Sequence, residues 1–279
     1  MANTIQKYAN SKPGAFVKSI LFIIIFLCLI FSSGPIGAAF GHPYDRLVYG
    51  LCGIGIGYFL IWLALRVDKQ PFSSIGMKCG KQTLPRFFLG MLIGLIFFIP
   101  IMAILLSFSP LRLTYNPSFF TLANFAVYLP IFPLAFAEEL CFRSYPQVKL
   151  NNEFGIWTSQ FVVAISFGVY HMVGGWSAYS AFTGPFVWAF IFGLAALKYG
   201  SIAVPTGIHF SLNFLQSIMG TKGNYSALWR LDYLPGATKV MMSRTEHIGL
   251  LLQIFVFIVG LIGTALYIKQ QKNKPHPSK

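Results

Sequence analysis

Acidic residues are scarce: seven of 279 positions are Asp or Glu, and charged residues of both signs make up 10%, against about a quarter in soluble proteins. A chain with so few charges cannot present most of its surface to water, which excludes a soluble domain. Cysteine is scarce as well. Cys28, Cys52, Cys79 and Cys141 form no Cys-x-x-Cys pair, so neither a disulfide framework nor a thiolate metal site is indicated, and they read as small apolar filler. No internal repeat is evident, and the His-Glu-x-x-His zinc signature is absent.

What fills the chain instead is apolar: 56% hydrophobic residues, 17% aromatics with Phe at 29 positions, and a mean hydropathy of +0.66. Lys and Arg number 21, for a net charge of +14, but so aromatic a chain is no disordered basic tail. The charge belongs to loops that flank a membrane, where anionic lipid headgroups account for it without an acidic substrate or nucleic acid. A span needs about 20 apolar residues to cross about 30 Å of hydrocarbon. Residues 1–279 therefore read as one membrane domain, with membrane lipids as its first partner and no nucleic acid.

Uncharged runs predict eight transmembrane helices, an all-α polytopic bundle: Ser19 to Gly41, Leu47 to Leu65, Phe87 to Phe108, Phe119 to Ala137, two spans within Phe154 to Leu197, Ser201 to Met219, and Ile248 to Ile268. The breaks Gly174-Gly175 and Thr183-Gly184-Pro185 divide the fifth from the sixth. The first run follows Lys7, Lys12 and Lys18 like a signal peptide, but it is too long and lacks the small-residue cleavage pattern. Eight helices put both termini on one side, together with fifteen Lys and Arg against six on the other: Arg46, Arg112, Lys222, Arg230, Lys239 and Arg244. The count predicts cytoplasmic termini, and the cell membrane if the chain is bacterial. Thr221 to His247 strains it by holding four of the six. Gly53 with Gly57, and Gly90 with Gly94, have the spacing of close helix packing.

An ionisable group at bilayer depth costs about 2.5 to 3.5 kcal/mol on insertion scales, so each needs a reason. Five of the seven acids fall in predicted loops, leaving Glu138 and Glu139 adjacent in Pro133-Leu-Ala-Phe-Ala-Glu-Glu-Leu-Cys-Phe-Arg143. On a helix Glu139 and Arg143 are four apart and pair, while Glu138 lies about 100° round and faces elsewhere. Alone, this cluster reads equally well as a structural ion pair. The histidines divide the same way: His42, His247 and His276 in loops or tail, His171 and His209 inside spans, with Asn213 one turn from His209. Two carboxylates, two imidazoles and an amide on three apolar spans predict a convergent polar cavity. A desolvated carboxylate with an imidazole takes a proton from water and returns it to a leaving amine, and an imidazole and carboxamide one turn apart donate to an oxyanion. This is the chemistry of peptide hydrolysis.

These residues also carry a resemblance to the CPBP intramembrane endopeptidases, which include the type II CAAX prenyl endopeptidases and bacterial proteins linked to bacteriocin processing or self-immunity. Glu-Glu-x-x-x-Arg is matched by Glu138, Glu139 and Arg143, Phe-x-x-x-His by Phe167 and His171, and His-x-x-x-Asn by His209 and Asn213, in family order. The resemblance covers 119–219, the expected catalytic core. It implies that Glu138 and His171 activate water, His209 and Asn213 hold the oxyanion, and Glu139 with Arg143 supports the site. It further implies a prenylated C-terminal peptide or another membrane-associated polypeptide as substrate. The cofactor stays open: two histidines and a glutamate from three helices could hold zinc, although His209 with Asn213 suits a metal-free glutamate mechanism better.

Rival readings remain. Gly175-Trp176-Ser177 offers a serine nucleophile but leaves both glutamates unexplained, and Cys141 sits among carboxylates that disfavour a thiolate. A proton-coupled transporter uses the same residue types, though no second copy of the motifs is present. A noncatalytic immunity or binding protein is the third. A geometric difficulty also stands. With a turn near Leu150, Glu139 lies 11 residues before it and His171 21 after it, a mismatch of about 15 Å. Either Pro146 to Phe154 folds back or Pro130 and Pro133 displace the fourth helix, and the site is expected to open toward the cytoplasm.

Overall fold

The computed structural model describes residues 12–77, 80–222 and 227–273; Cys79, Lys7, His276 and the end of the Lys-rich tail lie outside them. The elements follow in order as α1 (Lys12–Ser32), α2 (Gly34–Ala38), α3 (Asp45–Asp68), α4 (Thr83–Phe108), β1 (Leu111–Tyr115), α5 (Leu122–Ala126), α6 (Ile131–Arg143), α7 (Tyr145–Phe154), α8 (Ile156–Val173), α9 (Ala178–Thr183), α10 (Pro185–Tyr199), α11 (Ala203–Ile218), β2 (Trp229–Tyr233) and α12 (Lys239–Lys272). Among the described residues seven stretches are long and apolar enough to cross a membrane: Lys12–Ala38, Asp45–Asp68, Thr83–Phe108, Asn124–Phe154, Ile156–Val173, Ala178–Tyr199 and Lys239–Lys272. This is the polytopic helical bundle that the hydropathy pattern predicts. The eighth expected span is α11, whose 16 residues reach about 24 Å, short of a full hydrocarbon core. It packs against α4, α6 and α10 instead, and most of its residues are buried.

The fourth span differs from expectation, and the difference removes the depth problem. It runs Asn124–Phe154 and turns at Gly155, five residues later than Leu150. Glu138 then lies 17 residues before the turn and His171 16 after it, so both stand roughly 24 Å from it. Ser144, with φ −87° and ψ −107°, breaks the span into α6 and α7, because Pro146 has no N–H to continue the ladder. Gly155 closes it at φ +82°, a conformation that favours glycine.

Small residues set the spacing around the motif helices. A Cβ on Gly57 would sit 2.8 Å from Cys141 Sγ, so α3 lies hard against α6 and Cys141, 1% exposed, is packing as its composition implies. A Cβ on Gly90 would sit 3.0 Å from both Gly207 Cα and Ile208 N, which marks where α4 meets α11 backbone to backbone. At one end of the bundle, Asp68 ties α1, α3 and α7 together, accepting from Lys18, from Lys149 Nζ at 2.7 Å and from Tyr145 OH at 3.0 Å. At the other end β1 and β2 form an antiparallel ribbon, Leu111 opposite Tyr233 through Tyr115 opposite Trp229, in stretches expected as loops.

Candidate active site

Glu138 and Glu139 project from α6, His171 from the last turn of α8, and His209 and Asn213 from successive turns of α11. Glu139 is fully buried; its Oε1 accepts the Nδ1–H of His209 at 2.9 Å, and its Oε2 faces Arg143 Nε at 3.4 Å, an ion pair rather than a hydrogen bond. Arg143 is also buried, with its guanidinium over the rings of Phe167, Phe192 and Phe142 at 4.7, 5.7 and 5.9 Å. Its N–H groups have no hydrogen-bond partner among the described residues, so the carboxylate and three ring faces carry the charge. The i,i+4 pair expected between Glu139 and Arg143 is present.

Glu138 points elsewhere, as the 100° offset requires. Its Oε1 accepts from Tyr170 OH at 3.4 Å, and its buried Oε2, without a hydrogen bond among the described residues, lies 3.6 Å from His209 Nε2. His171 holds Phe167 O at 2.9 Å through Nδ1. A carbonyl only accepts, so the proton sits on Nδ1 and Nε2 keeps its lone pair. His209 has the same tautomer: its carboxylate partner places a proton on Nδ1, and Nε2 faces Glu138. Its ring stacks on Phe192, with centroids 4.8 Å apart and planes at 13°. Phe167 is the hub, with its ring 4.6 Å from His171, 6.2 Å from His209 and beneath Arg143.

A cavity of about 120 Å³ opens beside these groups, lined by His171, His209 and Asn213 together with Trp176, Lys222 and Gln253. Glu138 stands beside His209 rather than in the cavity wall. The six polar motif residues thus occupy one cluster, joined by residues that the sequence reading missed. Tyr170 precedes His171 in the chain, and Gln253 comes from α12, a helix legible only by hydropathy. Lys222 did leave a signal, as one of the basic residues that strain the charge count.

The mouth lies at the end that carries α9 and residues 219–222. His171 is 15 residues along α8 from its start, whereas Lys18, Asp68 and Lys149 crowd the opposite end. The cavity therefore opens away from the N-terminal end of α1. An opening shared with cytoplasmic termini, as expected from the sequence, does not fit this arrangement, because an odd number of crossings separates Lys12 from His171. Ser177 serves as the cap of α9, accepting from Ser180 N at 3.1 Å, which accounts for that serine without catalysis. No three His, Cys, Asp or Glu side chains among the described residues converge as metal ligands. His209 Nδ1 is held by Glu139 and His171 Nδ1 by a carbonyl, which leaves each Nε2 and the Glu138 carboxylate as the donors of this cluster not committed elsewhere.

Residues 117–215 match the family model Rce1-like, type II CAAX prenyl endopeptidase Rce1-like. The resemblance drawn from the three motifs is thereby borne out, and the matched segment contains all seven motif residues. No curated protein sequence matches the chain. With seven helices among the described residues long and apolar enough to cross a membrane, the chain is an integral membrane protein, and its segment 117–215 is similar to the CAAX endopeptidases.

Proposed function

We propose that this Rce1-like chain hydrolyses a peptide bond within the membrane by a glutamate-and-histidine mechanism. Glu138 and His171 take a proton from water, whose oxygen attacks the scissile carbonyl carbon. The oxyanion so formed accepts from Asn213 Nδ2 and, when the ring carries both protons, from His209 Nε2. Collapse breaks the C–N bond, and the proton held by the Glu138–His171 pair passes to the leaving amine. Glu139 keeps the His209 ring oriented, and Arg143 balances Glu139. The observation that supports this most is the His209 imidazole set between two carboxylates of α6, at 2.9 Å and 3.6 Å, beside a cavity where His171 exposes a bare Nε2.

The substrate in this reading is a prenylated C-terminal peptide or another membrane-associated polypeptide. In this reading both termini are cytoplasmic, supported by the distribution of Lys and Arg, and the mouth opens on the other face. Mapping protein termini by mass spectrometry, in membranes carrying the native chain or Glu138→Gln at matched expression, tests the reaction. Removing one general base costs about 10² to 10⁴ in rate, so product termini vanish with Glu138→Gln. Termini identical in both membranes overturn the proposal.

A further inference from the structure

Lys222 lies beyond the segment that matches the protease family, on the loop after α11, and none of the three motifs includes it. Its Nζ is 2.6 Å from Asn213 Oδ1, and both residues line the cavity. The chemistry of that contact is one-sided: an ammonium has three donors and no acceptor, so it binds the amide only through the oxygen. An asparagine whose oxygen is so held has both N–H bonds of Nδ2 left to give. Free to rotate, the Asn213 amide could turn either its accepting oxygen or its donating N–H groups to the cavity; with Lys222 on the oxygen it is left as a donor.

We propose that Lys222 is a positioning residue that locks the Asn213 carboxamide with its N–H groups toward the oxyanion. The proposal rests on the hydrolytic reading above and adds to it a residue that acts through Asn213. A second effect accompanies the first, since a cation on the oxygen polarises the amide and strengthens its N–H donors. The groups that act on Lys222 come from three sides: Glu138 of α6 attracts it, Arg46 of α3 opposes it, and His171 of α8 interacts with it. Burial dominates and pushes the ammonium down to about 8, with Glu138 opposing that fall and Arg46 adding to it. Above that pH the neutral amine has a lone pair, and the fixed polarity of the contact is lost.

Two readouts on the full chain in detergent test this. The first is cleavage of an internally quenched farnesylated peptide by the native chain, Lys222→Met, Lys222→Arg and Glu138→Gln across pH 6 to 10. Losing one oxyanion donor costs about 10² to 10³ in kcat; Lys222→Met is expected to lose about 10 to 100-fold in kcat with KM within twofold, and Lys222→Arg to recover most of it. The native rate falls as pH rises through about 8, and Lys222→Met lacks that limb. The second readout needs no turnover: the side-chain amide resonances of selectively ¹⁵N-labelled Asn213 shift with a midpoint near the same pH in the native chain and stay still in Lys222→Met. If Glu138→Gln abolishes cleavage while Lys222→Met retains full kcat, the Lys222 assignment fails alone. If Glu138→Gln cleaves as the native chain does, the hydrolytic reading fails. Asn213 resonances indifferent to Lys222 overturn the inference whether or not the peptide is cut.

Discussion

His171 and His209 hold the same tautomer through partners of different kinds, one local and one distant in sequence. His171 donates Nδ1–H to Phe167 O, one turn back on its own helix, so the Phe-x-x-x-His spacing itself turns a bare Nε2 to the cavity. His209 donates to Glu139, 70 positions away in the chain, and no local rule predicts that partner. The Glu139–Arg143 pair was legible because four residues are one helical turn; the rings that cover Arg143 were not, since Phe192 comes from α10. Two predictions belong at this scale. Removing one member of a buried charge pair costs about 3 to 5 kcal/mol, so Arg143→Met lowers the Tm in detergent by several degrees, with His209 moderating the loss as Glu139's second partner. A Tm unchanged in that variant means that the rings, not the charge, hold this corner. Ser177→Ala removes a helix cap worth about 1 kcal/mol and leaves kcat intact, whereas a serine nucleophile would lose activity altogether.

At the scale of elements, the active cluster depends on where one turn falls and on how closely two helices meet. The turn at Gly155 sets Glu138 and His171 at equal depth, and the sequence offered a Phe-Gly step there that the hydropathy run obscured, because Lys149 to Glu153 looks like a loop. In the fold those residues form α7, the end of the span, with Lys149 satisfied by Asp68. The glycines at 90 and 94 were legible as packing, but not their partner, since α11 is distant in sequence and short. Gly90→Leu forces a side chain against the α11 backbone, where even a bare Cβ would overlap Val204 O. Overpacking of this kind costs about 1 to 3 kcal/mol, and here it also displaces His209 and Asn213. We expect Gly90→Leu to lose Tm and kcat together, and Gly55→Ala, with nothing within 4 Å of the added Cβ, to keep both. Loss of neither in Gly90→Leu would show that α4 and α11 do not need this approach.

For the whole molecule the orientation of the mouth follows from the number of crossings before it. The cavity lies at the end opposite Lys18 and Asp68, so cytoplasmic termini put α9 outside. In a cysteine-free background, Tyr179→Cys, 62% exposed on α9, should react with an impermeant maleimide in intact cells, and Lys69→Cys only after lysis. The reverse result inverts the chain and brings the mouth to the cytoplasm. Composition and hydropathy alone determined that this is a helical membrane protein, and helical periodicity alone paired Glu139 with Arg143 and His209 with Asn213, because these are properties of single runs of chain. Only the tertiary structure decided that Glu139 orients His209, that Lys222 holds Asn213, that α11 is a short buried helix and that the mouth faces away from the N-terminal end of α1. Those facts depend on contacts between segments far apart in sequence, where loop lengths and small-residue packing, rather than local propensity, select the partner.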